Sequence, residues 1–567
     1  MWTLLQLTEL FVGLMAILLI GRYWSWPGSR HKDMPPDLNN KYGPLVSLKV
    51  GVGNMIVIGG DGSLVRHLLD KRGAIYSNRP LQMSTEIAGK GDDSSKWRLA
   101  RKQIVQHYAS SVVKTEYVGL QEAESVQLLH DFLHDPKHFM QHPMRFTTSV
   151  VTCLSMCLPW AFFVLVTSMV RKFLSLYCYL DYGVRCETYE DPAVRTIEEI
   201  MVRVCDLLMP GSKPPVEDFP WLRFIPDFVS DWKARSRNIG DLMDKLYGAW
   251  TRGASGLNRG TLSYKLRANE ANSGLSRHFQ AYIAGLVLEG GSDIVCSLVH
   301  FTRREKLMPL PFSGRRSNLD MHINDTSSQE RARKEIDALY DEDTLPRWVD
   351  EQAMPFVRAV IKEVLRWRPP LPIAIPHRLE QEIISSYQQM TIMKGTSTPK
   401  IQQVNCPEAC EVSIKGTSAY GIDIPVICNI WAIHSNPERF DDPKVFRPER
   451  FLDYKMSMAE SIAQGDPFER DHFAFGAGRR SCPGVQVAEQ DIFIALSRLL
   501  WAFEFSAPTG TQVNVEQCAF TGETVRHPKE FPLVIKPRSE RRKATIEREM
   551  AHAKEHVFSQ YGVYKPE

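Results

Sequence analysis

One run limits this chain more than any other feature: Phe475-Gly476-Ala477-Gly478-Arg479-Arg480-Ser481-Cys482-Pro483-Gly484. A cysteine flanked by glycines can sit in a tight turn where backbone N–H groups point at its sulfur. Such donors stabilise a thiolate and tune a metal bound to it. Gly478 and Gly484 permit close backbone approach to a flat ligand. Arg480, two residues before the sulfur, can reach a carboxylate at that ligand's edge. The following residues, Val485 to Phe503, are apolar at helical spacing and place a helix N-terminus near the thiolate, where negative charge is favoured. The competing reading of a lone cysteine in such a loop is a buried structural thiol, and the rest of the chain has to decide.

The run resembles the haem-binding loop of cytochromes P450, F-x-x-G-x-R-x-C-x-G, at every fixed position. Further resemblances follow in the family's order. Glu363-Val364-Leu365-Arg366 is similar to its E-x-x-R helix, where i,i+3 spacing puts both charges on one face. Arg450, in Phe446-Arg447-Pro448-Glu449-Arg450-Phe451, resembles the PERF segment. With Glu363 and Arg366 it implies a paired, buried network that acts as a structural clamp. Trp97 and Arg101 resemble the W-x-x-x-R helix, and Pro376-His377 the P-H strand. Together with Arg480 they imply four donors for two haem propionates. Gly290-Gly291-Ser292-Asp293-Ile294 resembles the oxygen-activation motif [AG]-G-x-[DE]-T, with glycines opening a groove beside O2 and Asp293 relaying protons. Ile294 departs from it, because it cannot hydrogen-bond where the family has an alcohol. Ser292, Ser297 or ordered water must then deliver protons; otherwise reduced oxygen escapes as peroxide.

The resemblance implies a mainly α fold with a minor β region, the cytochrome P450 fold. It implies heme b with iron ligated axially by Cys482, whose electron push favours O–O cleavage. The expected reaction hydroxylates or otherwise oxidises a small apolar organic metabolite with O2. No flavin or nicotinamide motif is present, so electrons from NADPH are expected through a separate NADPH–cytochrome P450 reductase, with cytochrome b5 as an auxiliary donor. The organisation is similar to fungal microsomal members of secondary metabolism. Two alternatives stay open: a haem-binding member with impaired, dehydratase-type or isomerase-type activity, and a non-functional product of a faulty gene model.

Residues 1–21 carry an apolar run from Trp2 to Ile20 with one charge, long enough for one transmembrane helix. Arg22, Arg30 and Lys32 follow it, which predicts a single-pass anchor in the endoplasmic reticulum with the catalytic body in the cytosol. Residues 22–42 read as a linker, 43–535 as the catalytic domain and 536–567 as a charged, solvated helical tail. Within the domain, Gly51-Val52-Gly53 reads as a hairpin turn, since no third glycine completes a dinucleotide loop. Three stretches interrupt the pattern, near 146–180, 295–328 and 380–422, and read as insertions or unremoved introns. Composition adds exclusions: 69 basic against 66 acidic residues give +3, so nothing favours nucleic acid. Eleven cysteines in 567 residues are too sparse for a disulfide framework.

Overall fold

The computed structural model describes residues 37–50, 53–80, 97–155, 184–208, 212–214, 216, 220–252, 261–269, 274–306, 326–379, 383–387, 391–392, 410–414, 424–509, 511 and 525–563. Helices dominate: α1 (Trp97–His107), α2 (Val118–His134), α3 (His142–Ser155), α4 (Pro192–Leu208), α5 (Trp232–Arg252), α6 (Arg277–Lys306), α7 (Thr326–Asp337), α8 (Pro355–Trp367), α9 (Val485–Ala502) and α10 (Glu540–His556). The main sheet uses β1 (Leu45–Val50), β2 (Gly53–Ile58), β3 (His377–Leu379), β4 (Thr391–Ile392) and β5 (Ile424–Cys428), in the order β3-β5-β2-β1-β4.

Two helices form the frame. α6 has 30 residues, so it runs about 45 Å, and packs along α3, α5, α8 and α9. α9 contains neither Gly nor Pro, and every residue in it except Gln486 is buried, as in a helix enclosed by the core on all sides. Several of its polar side chains are paired inside the fold. Asp491 accepts from Gln121 Nε2 at 2.9 Å, and Arg498 donates to the Pro346 carbonyl at 2.8 Å. Because Gly484 caps α9, this rigid strut holds the cysteine loop at its N-terminus. A second apolar cluster joins Leu45, Ile56, Val426 and Cys428 of the sheet to Phe473 and Ala477, and so ties the loop to the β region as well.

β1 and β2 are antiparallel with Val50 opposite Gly53; residues 51–52, read as a turn, lie outside the described residues. β3 runs antiparallel to β5, with Leu379 opposite Ile424. Between them, Ile383–Tyr387 pairs antiparallel with Cys410–Ile414 as a separate two-stranded sheet, and β4 adds to β1. The polar stretch at 380–422 thus contributes ordered strands. Residues 156–183 and 307–325 lie outside the described residues. The flanks of the first nevertheless meet, since the Cys186 N–H donates to Ser149 Oγ at 3.1 Å. Arg185 and Arg145 also both grip Glu124, at 2.8 and 2.6 Å.

The structure corrects one expectation. The tail from residue 536 is part of the body: α10 buries Thr545, Ile546, Met550 and Ala553 as it packs on α2. Its apolar residues recur at helical spacing, and the surrounding charges conceal that stripe in the sequence. The anchor expected at 1–21 lies outside the described residues, and no described helix is long and apolar enough to cross a membrane.

Candidate active site

The cysteine loop is a tight, bonded turn. The Cys482 N–H donates to the Phe475 carbonyl at 2.9 Å, and the Ser481 N–H to the Gly478 carbonyl at 3.2 Å. Gly476 and Gly478 hold φ of 74° and 64°, which β-carbon-bearing residues rarely adopt. A Cβ on Gly478 would lie 2.2 Å from the Leu69 carbonyl oxygen, so close packing on that neighbouring segment demands glycine here. Space for a flat ligand was expected at both glycines; it exists at Gly484, where nothing lies within 4 Å of an added Cβ. Burial pushes the Cys482 thiol up, while the Gly484 N–H and the Arg101 charge pull it down. A coordinated metal would complete that opposing pull, since it binds the deprotonated sulfur.

Beside the loop, cations converge. Arg480 donates Nε to the Ser77 carbonyl at 2.6 Å, and its guanidinium stacks 4.3 Å from the Trp97 ring centroid. Arg101, one turn along α1 from Trp97, donates to the Ser481 carbonyl. His377 is buried with Nδ1 on the Tyr76 carbonyl at 2.7 Å. Burial first, then Arg79, pulls its pKa down to about 4. Arg79 is the member that sequence reasoning missed. It donates to the Ile375 and Pro376 carbonyls at 2.6 and 2.9 Å. Its pKa falls to about 10 through burial, then through Arg480 and Arg101. No periodicity or spacing marks it, because it meets the others only through the fold. None of these arginines has a carboxylate partner among the described residues.

The Glu363 network forms as expected. Arg366 grips Glu363 through two bonds, 2.6 and 2.7 Å, and Arg450 lies 3.2 Å from the same carboxylate. Glu363 and Arg366 are essentially inaccessible. Spare donors are satisfied too, with Arg366 Nη1 on the Pro443 carbonyl at 2.8 Å and the Arg447 N–H on Glu363 at 2.8 Å.

Comparison with known proteins agrees with this arrangement. The Cytochrome P450 family model matches residues 323–398 and 411–535. The chain is 30% identical to cytochrome P450 monooxygenase macC of Penicillium terrestre, over 96% of this chain and 92% of that one. It is 31% identical to cytochrome P450 monooxygenase patH of Aspergillus clavatus, over 92% and 88%. This chain belongs to the cytochrome P450 family. It is a P450 monooxygenase with fungal relatives, and the family implies a haem with a cysteine-thiolate ligand. A zebrafish cytochrome P450 structure with abiraterone shares the fold, with TM-score 0.59 and 20% identity over 89% of this chain and 98% of the other.

In this P450 the residues present fit the implied haem. Three arginines without acidic partners among the described residues, beside a neutral His377 and next to the cysteine loop, suit two propionates, and the half-buried sulfur sits under a helix N-terminus. On α6, Gly290, Asp293 and Ser297 share one face, and among the described residues nothing lies within 4 Å of a Cβ added to Gly290. Gly291 does not help open that groove as expected, because its Cβ would lie 2.6 Å from Val151 Cγ2. It exists for contact with α3, where Thr147 also donates to the Ser292 carbonyl at 2.7 Å. The Ser292 hydroxyl is buried and has no hydrogen-bond partner among the described residues. Ile294 follows Asp293 on the same helix. A second unforeseen residue, His527, lies 3.0 Å from Asp293 Oδ1 through Nε2 and 2.8 Å from Ser297 Oγ through Nδ1.

Proposed function

We propose that this P450 binds heme b through Cys482 and hydroxylates, or otherwise oxidises, a small apolar metabolite of fungal secondary metabolism. The overall balance is RH + O2 + NADPH + H⁺ → ROH + H2O + NADP⁺. The haem supplies oxygen binding and activation, with Trp97, Arg101, His377 and Arg480 holding its propionates. Phe475, Gly478 and Gly484 shape the loop that presents the sulfur. Glu363, Arg366 and Arg450 keep α8 and the segment before the loop in register. Gly290 leaves room on the α6 face for the oxidant, and Asp293 relays protons there. The observation that carries this reading is the adjacency of a helix-capped cysteine turn and a cation cluster lacking acidic partners.

Electrons come from NADPH through NADPH–cytochrome P450 reductase, assisted by cytochrome b5. Residues 1–21 anchor the chain in the endoplasmic reticulum membrane with the catalytic body in the cytosol. Exposed Trp221, Phe224, Phe228 and Val229, near one another in the chain, support a body that leans on lipid.

The deciding measurement is the reduced carbon monoxide difference spectrum of the purified chain. A thiolate-type Soret shift is expected, and Cys482→Ala abolishes it. An imidazole-type band in the unaltered chain overturns the reading. With reductase present, substrate-dependent O2 and NADPH consumption is expected to yield an oxygenated product.

A further inference from the structure

The departure at Ile294 leaves a question about protons. Monooxygenation consumes two per turnover (RH + O2 + 2e⁻ + 2H⁺ → ROH + H2O). The residue after Asp293 has no hydroxyl to hold one. The fold brings a different group to the same place. His527 enters from the segment preceding Phe531, distant in sequence, and its two ring nitrogens contact Asp293 and Ser297. Asp293 and Ser297 are one helical turn apart on the face that Gly290 leaves open. All three side chains are shielded: Asp293 and Ser297 are buried and His527 is mostly covered.

The hydrogen bonds admit two arrangements that differ by one proton. Ser297 Oγ has a single hydrogen and two acceptors in reach, the Asp293 carbonyl at 2.9 Å and His527 Nδ1 at 2.8 Å. If the hydroxyl donates to the carbonyl, Nδ1 must donate to Oγ while Nε2 donates to the carboxylate, and the imidazole is positively charged. If the hydroxyl turns to Nδ1, the ring is neutral and only Nε2 donates. A hydroxyl rotation therefore accompanies gain or loss of a proton, with the Ser297 hydroxyl and both His527 ring nitrogens bonded in both states.

We propose that His527 is a positioning residue for oxygen activation. Through Asp293 and Ser297 it holds a proton on the α6 face and replaces the alcohol absent at residue 294. The proton leaves the imidazole through the Asp293 carboxylate or the Ser297 hydroxyl toward bound O2, and solvent reprotonates the ring. Electrons come from NADPH through the reductase. When this supply fails, the same electrons appear as peroxide (O2 + 2e⁻ + 2H⁺ → H2O2).

This inference rests on the monooxygenase reading, and the test separates the two. His527→Gln keeps hydrogen-bonding atoms but cannot carry a proton. It is expected to retain the thiolate-type carbon monoxide spectrum and substrate-binding shift. Product per NADPH should fall about tenfold or more, as loss of a positioned proton donor does, with peroxide rising in proportion. Ile294→Thr should change little alone and restore coupling in the His527→Gln background; that non-additivity marks a shared task. A second readout needs no turnover. In ¹⁵N-histidine-labelled ferrous carbon monoxide enzyme, the signal missing from His527→Gln should report a fixed Nε2–H or a doubly protonated ring. Asp293→Asn should convert it to a tautomer mixture. Unchanged coupling in His527→Gln, or an averaged imidazole in the unaltered enzyme, overturns the inference and leaves the monooxygenase reading standing. An imidazole-type carbon monoxide band in the unaltered enzyme overturns both.

A separate observation concerns α10. His130 and His134 lie one turn apart on α2 with ring centroids 4.3 Å apart. Glu547 of α10 meets them, its carboxylate oxygens 3.7 Å from His130 Nε2 and 2.7 Å from His134 Nε2. The three ligand atoms lie within 4.8 Å of one another. Two imidazoles and a carboxylate suit Zn²⁺, with water completing a tetrahedron. We infer that His130, His134 and Glu547 form a zinc site that clips α10 to α2. Haem-loaded enzyme stripped with chelator should take up one more Zn²⁺ than His130→Asn/His134→Asn, and its Tm should rise with zinc. Affinity at that site should fall at least about 100-fold in the variant, since losing even an outer partner costs about 10–100-fold. Equal zinc stoichiometry and affinity in the two proteins overturns the site.

Discussion

Two arginine centres in this P450 differ in what completes them. Around Glu363, Arg366 and Arg450 share one carboxylate, and the remaining donors end on backbone carbonyls. The protein alone closes that set. Around Arg480, the charges of Arg79 and Arg101 only add to one another beside a buried, neutral His377, with no acidic partner among the described residues. The first centre is a finished clamp; the second waits for an anion. Mutual pairing is what makes buried charge tolerable, so a cluster that lacks it points to a missing partner.

The largest effect should come from breaking the clamp. Glu363→Ala leaves two guanidinium groups facing each other without their carboxylate, and removing one partner of a buried pair costs about 3–5 kcal/mol. Chemical denaturation of the haem-free chain should show that loss. A cost near zero would mean the clamp does not hold the fold. Next, Arg480→Ala and Arg101→Ala should each speed haem transfer to an acceptor apoprotein by about tenfold to a hundredfold, because a charged hydrogen bond contributes about 1.5–3 kcal/mol. The haem-free chain should barely change its denaturation midpoint. If it falls as far as in Glu363→Ala, the two centres are alike and the contrast fails.

The smallest effect concerns pH. His377 has a folded-state pKa of about 4 against an ordinary 6.5, through burial and then Arg79. As pH falls, the unfolded chain therefore takes up this proton first. The stability His377 contributes is complete above about 6.5 and is lost as pH drops toward about 4. Bound propionates would offset the neighbouring arginine charges, so the haem-free Tm should fall more steeply with acid than the haem-loaded Tm. His377→Gln should flatten the slope in the haem-free protein; an unaltered slope would remove His377 from the cluster's electrostatics.

Much of the site was legible in the sequence because its parts are local. A cysteine between glycines, a helix that follows, and an i,i+3 ion pair are short-range facts, and the structure has them where the spacing places them. Glycine roles were less legible. Gly478 and Gly291 are there for contact with Leu69 and Val151, which lie far away in the chain. The packed C-terminal helix was missed for the same reason: whether a charged helix is an appendage depends on what receives its apolar stripe.

By itself, the sequence pointed to the family, to the sulfur proposed as ligand, to the clamp's three members and to the absence of a hydroxyl at residue 294. These are matters of residue type and short spacing, which local backbone geometry converts directly into structure. Only the tertiary structure decided that Arg79 joins the cations, that His527 reaches Asp293 and Ser297, and that α10 belongs to the body. Each of those contacts joins segments far apart in the chain. Such contacts exist only once packing has overcome the entropy of closing long loops, and no local pattern records which segments will meet.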